Sequence, residues 1–141
     1  MPELLHEILI EAPVKKIYAA LTTPIGVRGW WTADTEMEER VGGSVVLGFL
    51  KRATVFRMKI EKLEPSKRVV WSCYGDLGEW KGTKLTWKIA PKDKGSVLQL
   101  RHANWRKTSH MFAMCNSSWG ELMHRLKDYS EGKKRGPLWR N

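Results

Sequence analysis

The sequence predicts an α+β domain in which an antiparallel sheet of six or seven strands carries one long C-terminal helix. Three observations predict it. Segments of period two follow one another between residues 45 and 102, separated by short turns. Two short helical patterns, each opening on a proline, come directly after a first strand. An apolar stripe at helical spacing runs from about Thr108 to Ser130. Strands joined by short turns pair antiparallel, and a sheet with one apolar face has to cover it. Only the last helix, about 23 residues at 1.5 Å per residue, is long enough to lie along such a sheet.

The elements follow in order. Leu4 to Glu11 alternates weakly and closes on Ile8-Leu9-Ile10, which reads as a strand. Ala12-Pro13 opens a helix, with Pro13 in the first turn where its missing N–H costs nothing, and Val14, Ile17, Tyr18 and Leu21 fall at helical spacing. Thr23 caps a second helix that Pro24 begins and that runs to about Gly29, with Trp30-Trp31 at its end. Gly42-Gly43 marks a turn. Beyond it Val45, Leu47 and Phe49 share one face, and Phe56, Met58 and Ile60 alternate with Arg57, Lys59 and Glu61. Val69, Trp71 and Cys73 alternate with Val70, Ser72 and Tyr74, and Leu85, Trp87 and Ile89 with Lys84, Thr86 and Lys88. Leu98, Leu100 and His102 alternate with Gln99 and Arg101. Turns are expected at Glu64–Lys67, Gly75–Gly78 and Pro91–Gly95. Thr108 or Ser109 caps the long helix. Met111, Met114, Cys115, Ser118, Leu122 and Leu126 form its stripe, which Phe112, Trp119 and Met123 widen. Residues 131–141 lack periodicity and read as a basic C-terminal tail to a domain spanning 1–130.

Length and composition bound the function. A chain of 141 residues makes one domain large enough to fold without disulfides or metal. Apolar residues at 42% and charged residues at 28% exclude a disordered chain. Cys73 and Cys115 fit a reducing compartment better than a secreted framework. The longest apolar run, Val45 to Leu50, falls far short of a membrane span, and Met-Pro-Glu at the start has no signal-peptide character. The expectation is a soluble, cytoplasmic protein with no membrane insertion. Net charge is +10 and unevenly spread: residues 1–50 hold four basic and seven acidic residues, residues 51–141 hold 21 and eight. The basic residues are interspersed rather than drawn into a stripe, so the pattern favours a solvated surface over a specific nucleic-acid site.

Several segments carry a family resemblance in their order along the chain. They are Ala12-Pro13-Val14 with Tyr18 and Leu21-Thr22-Thr23-Pro24, then Gly29-Trp30-Trp31-Thr32 and Gly42-Gly43. Leu63-Glu64-Pro65 with Arg68-Val69-Val70-Trp71 and Gly82-Thr83 follow. Arg101-His102 with Trp105, and Cys115-Asn116 with Trp119-Gly120, complete the set. Over about residues 4–130 the chain resembles the family named for the activator of the heat-shock protein 90 ATPase, within the START-like (SRPBCC) superfamily. The resemblance implies the helix-grip fold: a curved antiparallel sheet wrapped on the C-terminal helix, roofed by two short helices, with a cavity between sheet and helix. It implies binding, or binding with processing, of a small hydrophobic or aromatic molecule there. For other members it implies a co-chaperone-like protein interaction. It supplies no catalytic triad, cofactor or metal site to carry across.

The residues themselves offer candidates for such a cavity. Trp31 follows a roofing helix, and of two adjacent side chains at a helix end one packs and the other is available. Strand phase sends Phe56, Met58, Trp71, Trp87, Leu100 and His102 to one face, and the helix stripe lays Met111, Cys115 and Ser118 over it. Trp-lined cavities with a few polar groups are the usual form of a small-molecule site, though Trp71 and Trp87 equally suit a plain core. An inward His102 is more often a satisfied core residue than an acid–base catalyst, and no carboxylate is visible beside it. Cys73 and Cys115 read as small buried hydrophobes rather than nucleophiles, and with His102 they lack metal-ligand spacing. Arg57, Lys59, Lys84, Lys88 and Arg101 share the outer sheet face, which leaves an anionic polymer as a further alternative partner. No catalytic or phosphate-binding motif is present.

Overall fold

The computed structural model describes residues 1–75 and 78–141; of the turn expected at Gly75–Gly78, Asp76 and Leu77 lie outside the described residues. The chain runs β1 (Leu4–Ile10), α1 (Val14–Thr22), α2 (Pro24–Trp30), β2 (Asp34–Met37), β3 (Ser44–Phe49), β4 (Thr54–Glu64), β5 (Arg68–Tyr74), a 3₁₀ turn (Gly78–Trp80), β6 (Lys84–Lys92), β7 (Gly95–Ala103) and α3 (His110–Ser130). The strands form one antiparallel sheet in the order β1-β7-β6-β5-β4-β3-β2. This is the helix-grip arrangement: a meander whose apolar face is covered by α3 and by the α1–α2 pair.

Alternation decides the two faces. Val45, Leu47, Met58, Ile60, Val69, Trp71, Leu85, Trp87, Leu98 and Leu100 are buried on the inner face, as their period-two spacing predicts. Arg57, Lys59, Lys84, Lys88 and Arg101 are all exposed on the outer one. The register breaks once, between Ile60 and Lys62 of β4. There two outward residues, Glu61 and Lys62, follow each other, and the extra residue bends the longest strand of the sheet.

Two local expectations are corrected, one choice is decided and one strand is added. Glu11 lies outside β1, which ends at Ile10. Pro13 is the cap of α1 rather than part of its first turn, because its ψ of 153° is extended. Of the two caps expected for α3, Thr108 or Ser109, the structure takes Ser109: its hydroxyl accepts from Phe112 N at 3.2 Å. Strand β2 escaped the sequence because Asp34-Thr35-Glu36-Met37 has no apolar alternation. Its one buried residue is Thr35, whose hydroxyl donates to Thr32 O at 2.8 Å. Arg28 of α2 fastens β2 from outside by donating to Thr35 O at 3.1 and 2.7 Å.

The cap of α2 is as expected: Thr23 Oγ1 accepts from Gly26 N at 3.0 Å. Glycines let α2 pack tightly. A Cβ on Gly26 would meet Ala19 O of α1 at 2.6 Å, and one on Gly29 would meet the Tyr129 ring of α3 at 2.2 Å. Residues 131–141 form no helix or strand of their own, yet they return across α2 and make a single bridge between Thr32 and Trp139.

Candidate functional site

The eight tryptophans are not scattered. Trp30 stacks on Trp31 (5.4 Å between centroids), Trp31 stands edge-on to Trp119 (4.9 Å), and Trp119 edge-on to Trp87 (5.6 Å). Trp71 meets Trp87 at 5.9 Å, and Trp80 stacks with Trp119 at 6.1 Å. Through His102 the chain reaches Trp105 (4.8 Å). Through Phe56 and Phe49 it reaches Trp139. Each contact of this kind contributes about 0.5–1.5 kcal/mol beyond area burial.

The network splits into a filled part and an open part. α1 lies over β5 and β6, and its Ile17 and Leu21 are fully buried there with Trp30. Trp30 donates its indole N–H to Ala20 O at 2.9 Å and so belongs to the packing. Over β3 and β4 nothing equivalent covers the sheet, and a cavity of about 290 Å³ remains. It is walled by Phe49, Leu50, Thr54 and Phe56 from the β3–β4 hairpin and by Trp31 and Trp80. α3 adds Met111, Met114, Cys115, Ser118, Trp119 and Leu122, and Trp139 closes one side. Leu50 and Met114, 59% and 54% exposed, mark its solvent rim.

The ten residues expected to line a cavity therefore divide. Trp31, Phe56, Met111, Cys115 and Ser118 line it. Met58, Trp71, Trp87, Leu100 and His102 do not; each is 0–1% exposed in packed core. The reason is that strand phase gives the face but not the position along the sheet, and α1 and α2 fill the centre. Asn104, in phase with His102, leaves the strand with a φ of 69° and is exposed. Phe49, Leu50, Thr54, Trp80, Met114, Trp119, Leu122 and Trp139 complete the site. Met114, Trp119 and Leu122 were legible as helix stripe and Phe49 as inner face. Trp80 and Trp139 sit outside any periodic segment and had no signal except residue type.

Profile comparison gives the family. The family described as "Activator of Hsp90 ATPase homolog 1-like protein" matches residues 11–131. The chain belongs to this family. Among solved structures, the Aha1 dimer from Colwellia psychrerythraea is 32% identical, with a TM-score of 0.87 over 95% of this chain and 99% of that one. CalU16 from Micromonospora echinospora is 20% identical, with a TM-score of 0.75 over 92% of this chain and 76% of that one. DynU16, from the dynemicin biosynthetic locus, is 22% identical, with a TM-score of 0.77 over 98% of this chain and 51% of that one. The last two likenesses show the shared fold. No curated protein matches.

In this member of the family, His102 is locked into the core. Trp119 Nε1 donates to its Nδ1 at 3.1 Å. An indole nitrogen only donates, so Nδ1 accepts and the ring is neutral with its proton on Nε2. Nε2 donates to Thr83 Oγ1 at 2.9 Å, and that hydroxyl in turn donates to Trp80 O at 2.6 Å. Burial pushes the His102 pKa down to about 3. A ring with both nitrogens committed and no route to the cavity is a structural tie between β7, α3 and the 3₁₀ turn. Trp80 Nε1 donates to Cys115 Sγ at 3.2 Å on the cavity wall. Burial pushes the Cys115 thiol up, as does the charge of Glu79, while the Trp80 N–H opposes them. Burial also lifts Cys73 to about 11. Both thiols are protonated at neutral pH, which removes the thiolate a nucleophile needs. The indole N–H groups of Trp71, Trp87 and Trp105 have no partner among the described residues, an expense of about 1–3 kcal/mol each that edge-on aromatic contacts offset in part. Among the described residues no group of His, Cys, Asp or Glu could hold a metal, and no helix is long and apolar enough to cross a membrane.

Proposed function

We propose that the cavity between the β3–β4 hairpin and the first half of α3 binds a small, uncharged hydrophobic or aromatic molecule. The observation that carries this reading is the composition of the wall. Six aromatic rings and four aliphatic or thioether side chains surround about 290 Å³, and among the described residues no charged side chain lines it. The polar groups within reach are the Thr54 and Ser118 hydroxyls and the Cys115 thiol, enough to orient one polar substituent. Burying a charge among such groups would cost far more than they return. The volume is at the low end for ligand sites and suits one or two fused rings. Binding rather than chemistry is the reading, because among the described residues the wall offers no acid–base pair: His102 is sealed behind Trp119 and Thr83, and Cys115 is protonated.

The test is a titration with phenylnaphthylamine, a neutral two-ring dye with an added phenyl. Saturable dye fluorescence with quenching of tryptophan emission is expected, since six of the lining rings are aromatic and four are indoles. Met114→Glu puts a carboxylate on the exposed rim, so stability should stay within about 0.5 kcal/mol while affinity falls at least about 10-fold. Unsaturable binding, or equal affinity in Met114→Glu, would sink the reading.

A further inference from the structure

We propose that residues 136–141 are a movable wall of this cavity and that Trp139 sets the size of ligand admitted. The proposal rests on the binding reading above. Every other lining residue lies between Trp31 and Leu122; Trp139 alone comes from beyond α3. Its ring is half-buried and stands edge-on to Phe49, 5.7 Å away at 87°.

The segment is attached lightly. Trp139 N donates to Trp31 O at 3.0 Å, and Trp139 O accepts from Ala33 N at 2.9 Å. Leu138 N reaches Trp30 O at 3.4 Å, and Leu50 N donates to Asn141 O at 2.6 Å. These few bonds stand against ladders of four to eleven residues in the sheet. Segments with few buried contacts and short hydrogen-bond runs open at the low end of a protein's stability range.

It also has a hinge and a latch. Gly132 and Gly136 take φ of 85° and 84°, the left-handed region that glycine enters freely. A Cβ on Gly132 would touch nothing within 4 Å, so this position serves chain direction rather than packing. Between the two glycines Lys133, Lys134 and Arg135 are exposed and carry no apolar anchor. The latch is Arg125 of α3, whose Nη1 donates to Gly136 O at 3.2 Å and Pro137 O at 3.1 Å while its Nε holds Glu121 at 2.9 Å. Arg135 adds bonds to Glu121 (2.6 Å) and Asp128 (3.1 Å). Opening this polar latch frees Trp139 while the seven buried tryptophans stay packed.

The opposite rim is under strain. Leu50, Lys51 and Arg52 all have positive φ, 52°, 56° and 65°. Ala53 N donates to Leu50 O at 3.1 Å, closing a turn whose central pair would ordinarily be Asn-Gly. Arg52 clamps it through Asp34 at 2.8 and 2.9 Å and Glu36 at 3.1 Å. Leu50 lines the cavity, and its N–H is the contact by which this turn holds the segment. The mouth thus lies between a clamped, sparsely populated turn and a hinged segment. Lifting the segment withdraws Trp139 from Phe49 and extends the cavity along β3.

Hydrogen exchange on the full chain tests this, with phenylnaphthylamine as the small probe and progesterone as a bulky neutral one. Progesterone should speed exchange at the Ala33, Leu50 and Trp139 amides by at least about 10-fold while Trp87 and Leu100 stay protected. Trp139→Ala should raise the progesterone-to-naphthylamine affinity ratio at least about 10-fold. Arg125→Gln, which unlatches the hinge but keeps the ring, should move the ratio the same way. If Trp139→Ala weakens both probes equally, or progesterone binds with the three amides still protected, the wall is fixed and the proposal is overturned. If neither probe binds any variant, the binding reading fails by itself. The movable wall is then judged on the free protein, where those amides must exchange faster than Trp87 and Leu100.

Discussion

At His102 both ring nitrogens are taken, one by the Trp119 indole and one by the Thr83 hydroxyl. This has a measurable consequence. The folded-state pKa is near 3 against 6.5 for a free histidine, because burial disfavours the charged ring. Below pH 6.5 the unfolded chain takes up a proton that the folded chain refuses. Stability therefore falls as pH drops from 6.5 toward 3, by about 1.4 kcal/mol per unit. Among the described residues the carboxyls that the fold shifts, Glu3, Asp34, Glu38, Glu64 and Glu131, all lie below their ordinary values and lose their contribution only under about pH 4.5. The window from 4.5 to 6.5 thus belongs to His102. Urea unfolding should show a loss of about 2–3 kcal/mol across it, and His102→Gln should flatten the profile. Parallel profiles would contradict the account. Alternation placed His102 inward from sequence. Its tautomer is set by Trp119 and Thr83, 17 and 19 residues away, which no local pattern pairs with it.

α3 shows what an amphipathic stripe leaves open. Its spacing groups Met111, Met114, Cys115, Ser118, Leu122 and Leu126 on one side. In the structure the second half is buried through Leu122, Met123 and Leu126, whereas Met114 and Ser118 are exposed along the cavity. The helix is regular throughout; the difference lies in what faces it. The helix packs on β1 and on the α1–α2 pair, whereas its first half faces the β3–β4 hairpin across the cavity. Ser118 consequently has space in front of it. Ser118→Phe should change stability by no more than about 0.5 kcal/mol, since no packed neighbour has to move, and should reduce naphthylamine affinity at least about 10-fold by filling the site. A drop in stability of several kcal/mol by thermal or urea unfolding would mean that the cavity is closed in solution.

For the molecule as a whole, the +10 charge is less available than the composition suggests. Nine of the lysines and arginines, among them Arg52, Arg68, Arg101, Arg125 and Arg135, are held in ion pairs among the described residues. Arg101 is taken by Glu3 on the outer face itself. The remaining cations there lie two to a strand, Arg57 and Lys59 on β4 and Lys84 and Lys88 on β6, with β5 between the pairs. Duplex DNA should therefore be retained weakly at low salt and released at about 150 mM, since each free phosphate contact is lost steeply with salt. Submicromolar affinity in a filter assay at that salt would reinstate the anionic-polymer reading.

The sequence by itself determined the strands β1 and β3 to β7, the two proline-led helices, the cap at Thr23, the long helix and which side of each strand faces inward. All of these follow from period, turn chemistry and capping, which act over a few residues. Three things waited for the tertiary structure. Strand β2 is held by Arg28 and by a buried Thr35 rather than by apolar alternation. The cavity sits over β3 and β4 because α1, α2 and Trp30 fill the space over β5 and β6, so Trp71 and Trp87 pack while Trp80 and Phe56 line. Trp139 joins the site from a segment with no periodicity, through backbone bonds to residues 31, 33 and 50. Each is a contact between elements far apart in the chain, and a period of two or 3.6 carries face but neither depth along a sheet nor the path of a loop.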